Sequence, residues 1–395
     1  MDERILISGA GIAGLTLAHW LARYGFRPTI VERAPATRPG GNGVDVRGGA
    51  AEVVERMGLT TRVRAAAADV RGIKFVDADD RTRAQIDFPG GEVEIMRGDL
   101  VALLQEVTDV EYLYGDSIAS LNQDPDGVDV TFEKAAPRRF GLVVGADGLH
   151  STTRRLAFGP ESEFLRHKDH YFAFADADAA LAEDRRVTMF NRPGRMTGLY
   201  RSGNHAQAKA YFIFRSPRLD HDHRDTAAQK RMFTDVFGGE TSWHVPSLLA
   251  TALDDPDLYV DALAQVHLDS WHRGRVVLTG DAAWCASPAS GAGAELALVG
   301  AYRLAGELAA ARDHTAALAA YEAGHRPLVD RRRKIGPNIR MMVPRTALGA
   351  KVRNALVRLP LMKWLGELES RAEKNEPLGA YAPAARSKEM TTPTR

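Results

Sequence analysis

The chain has very little cysteine and almost no net charge. Cys285 is the single cysteine among 395 residues, which excludes an intrachain disulfide framework and a cysteine-based zinc site and fits a reducing compartment. The 52 Lys and Arg residues against 51 Asp and Glu residues leave a formal net charge of +1. Because no large field attracts a polyanion, we expect neither nucleic acid nor a membrane surface as a partner.

Long apolar runs and a secretory signal are also missing. The most apolar late segment, residues 295–311, is interrupted by Arg303 and Glu307 and falls short of a membrane span. The N-terminus passes from charged residues directly into an apolar strand, without a small-residue cleavage site. We therefore expect a cytoplasmic protein. We expect no metal site, since the closely spaced His221 and His223 lack further clustered ligands.

The pattern that is present alternates strands and helices. Residues 4–8 and 27–32 predict strands on either side of a helix at 14–24. Buried-strand patterns return at 140–145 and 274–279, and the second of these precedes a long helix at 293–311. Alternating strands from about 168 to 266 predict a second sheet. We predict an α/β fold: a Rossmann-like domain with a parallel sheet, an inserted domain with a mainly antiparallel sheet, and a C-terminal helix.

A glycine motif, Gly9-Ala-Gly-Ile-Ala-Gly14, follows the first strand and opens the first helix. The glycines permit a tight turn, close approach of a pyrophosphate and close packing of helix on strand. Glu32 ends the second strand, where a carboxylate accepts hydrogen bonds from a ribose. The motif favours dinucleotide binding rather than a glycine-rich turn that binds no ligand. By itself it does not distinguish NAD from FAD.

Two later segments carry a family resemblance. They are Gly145-Ala-Asp-Gly-Leu-His-Ser-Thr-Thr-Arg154 and Gly274-Arg-Val-Val-Leu-Thr-Gly-Asp281. With the glycine motif, in this order, they resemble the class A flavoprotein monooxygenases, the family of p-hydroxybenzoate hydroxylase, over nearly all of residues 1–335. Residues 41–49, residues 96–100 and the helical C-terminus are most similar to the tetracycline-inactivating flavin monooxygenases.

The resemblance implies a domain plan. The FAD-binding domain would comprise residues 1–74, 97–167 and 268–335, and the substrate-binding domain residues 75–96 and 168–267. A helical extension would follow at 336–386, and residues 387–395 would form a disordered tail.

It also implies a set of FAD-binding positions. Glu32 would bind the adenosine ribose, Arg97 the ribityl–pyrophosphate region and Asp281 the ribityl hydroxyls. The motif of Asp147 and Arg154 is linked to FAD and NADPH contacts. The full set is Gly9, Gly11, Ile12, Ala13, Gly14, Glu32, Arg33, Arg97, Asp147, Arg154, Asp281, Pro288, Gly291, Ala292 and Gly293.

In this set Pro288 would lie against the isoalloxazine, and residues 291–293 would bring backbone N–H groups to the flavin N1–C2=O edge. A helix N-terminus there would stabilise the negative charge of reduced flavin. For substrate contacts we expect Asp45, Met189, Tyr200, Tyr211 and Phe212. Half of the residues of an alternating strand face the core. Each of the aromatic residues could therefore lie either in a substrate pocket or in the core.

The resemblance implies an FAD-dependent, NAD(P)H-consuming monooxygenase. It would transfer one oxygen atom from O2, through a flavin C4a-hydroperoxide, to an aromatic or polyketide-like small molecule, by hydroxylation or Baeyer–Villiger insertion. The flavin carries this chemistry, so we name no catalytic side chain, and we expect a monomer or homodimer. The alternatives are a flavin-dependent reductase or dehydrogenase of the same fold, and a non-catalytic protein that binds flavin or a metabolite.

Three positions depart from the family pattern. Trp284 replaces a histidine found in many members, Gly291-Ala-Gly293 replaces Gly-Gln-Gly, and Val299-Gly300 replaces an acidic pair. We expect Trp284 to pack near the flavin rather than to donate protons.

Overall fold

The computed structural model describes residues 2–37, 41–88, 93–219, 225–255, 258–334, 338–358 and 378–381. His221, His223 and the predicted tail at 387–395 lie outside the described residues, as does most of the predicted extension after residue 358.

The strands are β1 Arg4–Ser8, β2 Arg27–Glu32, β3 Gly43–Val46, β4 Ala67–Ala68, β5 Gly72–Val76, β6 Thr82–Asp87, β7 Val93–Met96, β8 Glu111–Tyr114, β9 Ile118–Gln123, β10 Val128–Phe132, β11 Arg138–Phe140, β12 Leu142–Gly145, β13 Leu165–Ala177, β14 Arg186–Arg192, β15 Arg195–Arg201, β16 Ala208–Arg215, β17 Tyr259–Val266, β18 His272–Arg273 and β19 Val276–Leu278.

The helices are α1 Ile12–Arg23, α2 Gly49–Arg56, α3 Thr60–Ala65, α4 Arg97–Glu106, α5 Thr152–Ala157, α6 Glu161–Phe164, α7 Thr226–Phe237, α8 Val245–Asp254, α9 Asp281–Trp284, α10 Gly293–Ala310, α11 His314–Arg332, α12 Asn338–Met342 and α13 Ala347–Val357. Short 3-10 turns occupy Ala179–Leu181 and Pro288–Ser290.

A six-stranded sheet in the order β18-β19-β12-β1-β2-β8 holds the nucleotide-type motif. Its pairings are parallel except that between β18 and β19. Ile5, Leu6 and Ile7 are 0% exposed, because both faces of a parallel sheet are covered. The bounds predicted for β1 and β2 are confirmed. Helix α1 begins at Ile12, two residues before the predicted start, since Gly11 is its N-cap.

A second, seven-stranded sheet has the order β17-β13-β16-β15-β14-β5-β6. Its pairings are antiparallel except that between β14 and β5. Helices α7 and α8 cover one face, where Phe212 and Phe214 pack against Phe233 and Phe237. The predicted α/β architecture, with a parallel sheet, a mainly antiparallel sheet and C-terminal helices, is therefore confirmed.

Two smaller sheets, β3-β7-β4 and β11-β10-β9, complete the strand pairing. The domain bounds stay a prediction, and the one between residues 74 and 75 falls inside strand β5. Within the described ranges, no helix combines the length and the apolar character needed to cross a bilayer.

Candidate functional site

The β1–α1 turn is built for close contact with a ligand. Gly9 has a φ of +109°, and a Cβ there would lie 2.5 Å from the Ala146 carbonyl oxygen. A Cβ on Gly14 would lie 1.9 Å from the Gly9 carbonyl oxygen. At Gly11, by contrast, the nearest atom to an added Cβ is Arg97 Nη2, at 3.8 Å. Gly9 and Gly14 thus serve the fold, and Gly11 leaves backbone open to a ligand.

The N-terminus of α1 lies at this open backbone. Gly11 is its N-cap and no side chain caps the first turn, so free N–H groups and the helix dipole favour an anion there. The Arg97 side chain, on an exposed residue at the start of α4, lies beside Gly11. This arrangement fits the pyrophosphate of a dinucleotide, with Ile12 and Ala13 in the first turn.

Glu32 lies at the end of β2, next to the same turn. Its carboxylate accepts hydrogen bonds of 2.8 Å from the Ala10 N–H and 2.8 Å from the Ala34 N–H. Each carboxylate oxygen has a second lone pair, which can accept from a ribose hydroxyl. Arg33 follows with an exposed side chain.

Asp147 connects three elements. Its Oδ2 accepts from the Thr153 N–H at 2.9 Å, the Thr153 hydroxyl at 2.9 Å and the Ser8 hydroxyl at 3.3 Å. The Ser151 hydroxyl donates to Oδ1. The carboxylate therefore holds the start of α5 against the end of β1.

Arg154 is 0% exposed. Its guanidinium donates to the carbonyl oxygens of Ala282 at 2.9 Å and Leu149 at 2.6 Å, and pairs with Glu161 at 3.4 Å. Burial lowers the pKa of this group. A contact of Arg154 with the cofactor stays a prediction; in this structure its side chain is fully buried and binds the backbone of α9, which starts at Asp281.

Asp281 is accessible to solvent at the start of α9, although many protein atoms lie around its carboxyl group. Desolvation by these atoms raises the pKa of the carboxyl group, while the Cys285 thiol and the Arg97 charge act in the opposite direction. Gly280 before it has a φ of +63° and packs on Ala13, with an added Cβ 2.9 Å from the Ala13 Cβ. Arg97, Asp281 and the first turn of α1, distant in sequence, therefore meet in one place.

The segment after α9 makes a second open helix N-terminus. Ser287 and Gly291 have φ angles of +79° and +65° around an exposed Pro288. Ala292 is the N-cap of α10 and no side chain caps that helix. No atom of the described residues lies within 4 Å of a Cβ added at Gly293, its own chain neighbours and helix backbone apart. The Gly291 N–H donates to the Pro288 carbonyl oxygen at 3.2 Å, and the Ala292 N–H donates to the Ser290 hydroxyl at 3.2 Å. The N–H groups in the first turn of α10, from Gly293 onwards, therefore fit the planar edge of a flavin that needs N–H donors.

Comparison with known proteins agrees with this geometry. Residues 2–332 match the family of FAD-binding domains. The chain belongs to this family. It is an FAD-dependent monooxygenase of the class A type, as the sequence motifs predicted. FAD is its cofactor.

Several relatives cover most of the monooxygenase. An uncharacterised protein of Mycobacterium tuberculosis is 42% identical over 347 residues, which are 83% of this chain and 91% of that protein. A flavin-dependent monooxygenase from an unknown prokaryotic organism is 38% identical over 341 residues, or 85% and 88% of the two chains. The crystal structure of tetracycline destructase Tet(51) superposes with a TM-score of 0.85 and 31% identity, covering 96% of this chain and 100% of that one.

The monooxygenase carries a row of aromatic rings on the face of the seven-stranded sheet opposite α7 and α8. Successive ring centroids lie 5.8, 5.1, 4.5 and 6.0 Å apart. We call it the aromatic row: Tyr259, Phe172, Phe174, Tyr211 and Tyr200. Tyr259 is 50% exposed, and the charges of Arg97 and Asp281 act on its hydroxyl. The row therefore starts at the predicted ribityl site.

The expected substrate residues divide between two faces. Tyr200 and Tyr211 belong to the aromatic row, and Asp45 lies on β3 beside Gly291, with Oδ2 3.7 Å from a Cβ added there. Met189 shares the face of the row but is 6% exposed, packed with residues of α12 and α13. Phe212 is corrected: it lies on the opposite face, 0% exposed, with its ring 5.2 Å from that of Phe237.

Two polar features of the monooxygenase were not identified from the sequence. Glu94 on β7 lies opposite Asp45 on β3. Tyr259 donates to Asp261 at 2.9 Å, and the other oxygen of Asp261 lies 3.2 Å from His150 Nε2. His150 Nδ1 lies 2.9 Å from Glu161. Burial alone would lower the pKa of His150, but its hydrogen bonds to Asp261 and Glu161 raise that pKa to about 9.

Trp284, the last residue of α9, is 0% exposed, and its ring packs against residues of α10 and α11. Its ring lies 4.5 Å from Trp271 and 4.7 Å from His325. A Cβ on Gly300 would lie 2.7 Å from Trp284 and 2.8 Å from His325. Two of the departures from the family pattern are thus linked, because the large ring at 284 needs a glycine at 300.

Proposed function

We propose that the monooxygenase uses NADPH or NADH to reduce bound FAD and then transfers one atom of O2 to an aromatic or polyketide-like small molecule. The oxygen donor would be the hydroperoxide at flavin C4a. The protein would work in the cytoplasm as a monomer or homodimer.

The FAD would lie along the two open helix N-termini. Gly11 and the first turn of α1 would take the pyrophosphate beside Arg97, and Glu32 would take the ribose. Asp281 would accept from the ribityl hydroxyls. The Gly293 N–H would stabilise negative charge at the N1 edge, since a helix N-terminus does so without moving a proton. The N–H groups of Gly291 and Ala292 would join it on releasing the Pro288 carbonyl oxygen and the Ser290 hydroxyl.

The aromatic row is the observation that carries the substrate class. It runs from Tyr259, near Asp281, to Tyr200 and Tyr211, near Asp45 and Gly291. Offset aromatic faces bind flat ring systems with favourable geometry. Phe172 and Tyr200 are buried, so a ligand would contact Tyr259, Phe174 and Tyr211 and would lie alongside the predicted flavin turn. Tet(51), a tetracycline destructase, has the same architecture at 31% identity, which supports a substrate with fused rings.

The test is turnover by protein reconstituted with FAD. NADPH and NADH oxidation would be followed with and without tetracycline and a series of phenols, with mass analysis of the products. We expect substrate to accelerate NAD(P)H oxidation and a product to gain one oxygen atom. NAD(P)H oxidation with reduced, unoxygenated product would instead favour the flavin-dependent reductase, and no oxidation despite bound FAD would favour a binding protein.

A further inference from the structure

Helix α13 carries an apolar stripe that faces solvent. The described residues include five large apolar side chains that are exposed, and three of these lie on α13: Leu348, Val352 and Leu356, at 70%, 50% and 44% exposure. Successive members are four residues apart, so they line one side of the helix. We call them the α13 stripe. Single exposed apolar residues are common on protein surfaces, but a contiguous row indicates a surface that binds a partner.

The other side of α13 is attached to the seven-stranded sheet. Val357 is buried in the apolar cluster that contains Phe75. Arg353 Cζ lies 3.8 Å from the centroid of the Phe75 ring, and its guanidinium donates to Asn191 Oδ1 at 2.8 Å. These contacts hold the helix so that the α13 stripe faces away from the sheet.

The charge around the α13 stripe has one sign. Residues 331–366 contain ten Lys and Arg and no Asp or Glu, whereas the rest of the chain has 42 Lys and Arg against 51 Asp and Glu. Lys351 lies on α13, Arg345 and Arg358 flank the helix, and all three side chains are exposed. Among the described residues, no carboxylate forms an ion pair with any of the three. A local excess of positive charge therefore surrounds the stripe.

The positive charge and the apolar stripe together select the partner. A second copy of this chain would bring two positively charged faces together, which is unfavourable. A nucleic acid would attract the Lys and Arg residues but would leave the stripe exposed to water. The surface of an anionic bilayer accommodates both features, since apolar side chains enter the boundary between headgroups and acyl chains while Lys and Arg stay near the phosphates.

We propose that the α13 stripe and the basic residues beside it dock the monooxygenase on the surface of an anionic phospholipid bilayer. Helix α13 would lie in the plane of the interface, because its 11 residues are too few to cross the hydrocarbon core. This partner replaces the expectation drawn from the net charge of +1, which includes the acidic remainder of the chain. The inference does not depend on the proposed oxygen transfer.

Docking through α13 would bring the substrate side of the sheet close to lipid. The apolar cluster that holds Val357 also contains Phe172 of the aromatic row, and Phe174 and Ala289 pack against this cluster. Ala289 belongs to the turn before α10. The docking helix, the aromatic row and the predicted flavin turn thus share one layer of side chains.

The test measures how full-length protein reconstituted with FAD binds to lipid vesicles, by co-sedimentation. Vesicles of equal parts phosphatidylglycerol and phosphatidylcholine are compared with vesicles of phosphatidylcholine alone. We expect at least roughly tenfold tighter binding to the anionic vesicles. Salt at about 1 M should release most of the bound protein, because it screens the attraction between the charges.

Two substitutions separate the apolar and the charged contributions. Leu348→Gln removes an apolar member of the stripe, and Lys351→Glu reverses a charge; both side chains are exposed, so the melting temperature should not change. Each should weaken binding to the anionic vesicles by roughly fivefold or more. Leu348→Met, which stays apolar, should bind like the unchanged protein. Arg64→Glu, the same charge change at an exposed position of α3, should do so too.

Equal binding to the two kinds of vesicle, no binding to either, or binding that survives both Leu348→Gln and Lys351→Glu would overturn the proposal. A dimer that Leu348→Gln dissociates would assign the stripe to a second copy instead. Binding of duplex DNA in preference to the anionic vesicles would assign the basic residues to a nucleic acid. Since no step needs NAD(P)H or turnover, these results leave the proposed function untouched, and failure of oxygenation leaves the docking surface untouched.

Discussion

Arg154 donates a 2.9 Å hydrogen bond to the carbonyl oxygen of Ala282, 128 residues later in the chain. This bond joins the motif that ends at Arg154 to the helix that begins at Asp281, the last residue of the other motif. Ala282 follows Asp281 in α9, so a change at Arg154 should reach the predicted ribityl site. We expect Arg154 to act by positioning α9.

Arg154→Lys should destabilise the protein and weaken FAD binding together. Lysine cannot reproduce the fork that reaches Leu149 and Ala282, and a buried carbonyl left without a donor costs about 1–3 kcal/mol. Thermal unfolding and FAD titration of the same sample would measure both effects. Arg155→Lys, at an exposed neighbouring position, should change neither; an equal effect of both substitutions would contradict this role.

Gly11→Ala should separate cofactor binding from folding. Its backbone has a φ of −84°, which alanine adopts freely, and the nearest atom of the part of the chain that the structure describes would be Arg97 Nη2, at 3.8 Å from the added Cβ. We expect an unchanged melting temperature and FAD affinity reduced at least roughly tenfold, since a methyl group would hold the pyrophosphate away from the helix N-terminus. Gly14→Ala should instead impair folding. Unchanged FAD affinity in Gly11→Ala would place the pyrophosphate elsewhere.

Gly300→Ala should destabilise the protein although alanine favours helices. Its methyl group would lie 2.7 Å from the buried Trp284 ring, and such overpacking costs about 1–3 kcal/mol. Gly324→Ala in α11, where the Cβ meets the flexible end of Arg303 at 2.9 Å, is the matched control and should be close to neutral. In a Trp284→Phe background the cost at 300 should fall. A cost that is the same in both backgrounds would mean that the two positions are not coupled.

His150 should make the protein less stable at alkaline pH. Its pKa is raised from 6.5 to about 9 by Asp261 and Glu161, after burial has acted in the opposite direction. A raised histidine pKa contributes stability that is complete below the unfolded value of 6.5 and is lost as the pH rises through the folded value of about 9. Between neutral and alkaline pH, the free energy of unfolding should fall by about 2 kcal/mol less in His150→Gln than in the unchanged protein. Chemical unfolding at a series of pH values would measure this difference. An identical pH profile for the two proteins would exclude His150 as the cause.

Local chemistry in the sequence was enough to predict the nucleotide half of the fold. The strand bounds of β1 and β2 and the glycine motif follow from short segments whose residues interact with one another. The open turn at Gly11 and the close approach of Gly14 to Gly9 are likewise local, and the structure reproduces them.

The polar site could not be predicted in the same way. Glu94 is one acidic residue among 51, and only the β3–β7 register places it opposite Asp45. The His150–Asp261 contact joins residues 111 positions apart. Successive residues of β16 point to opposite faces of the sheet, and both faces of this strand are apolar: Tyr211 and Ile213 on one, Phe212 and Phe214 on the other. The sequence pattern therefore does not show which face packs against the helices, and the position of Phe212 could not be predicted.

We propose that the bound FAD of this monooxygenase passes oxygen from O2 to a ring-bearing substrate. The most direct measurement supplies isotopically labelled O2 to FAD-reconstituted protein with NADPH and the substrate identified by the turnover screen, and determines the isotope content of the product. We expect one labelled oxygen atom per product molecule. A product that is formed at the same rate without O2, or that carries only unlabelled oxygen from water, would contradict it.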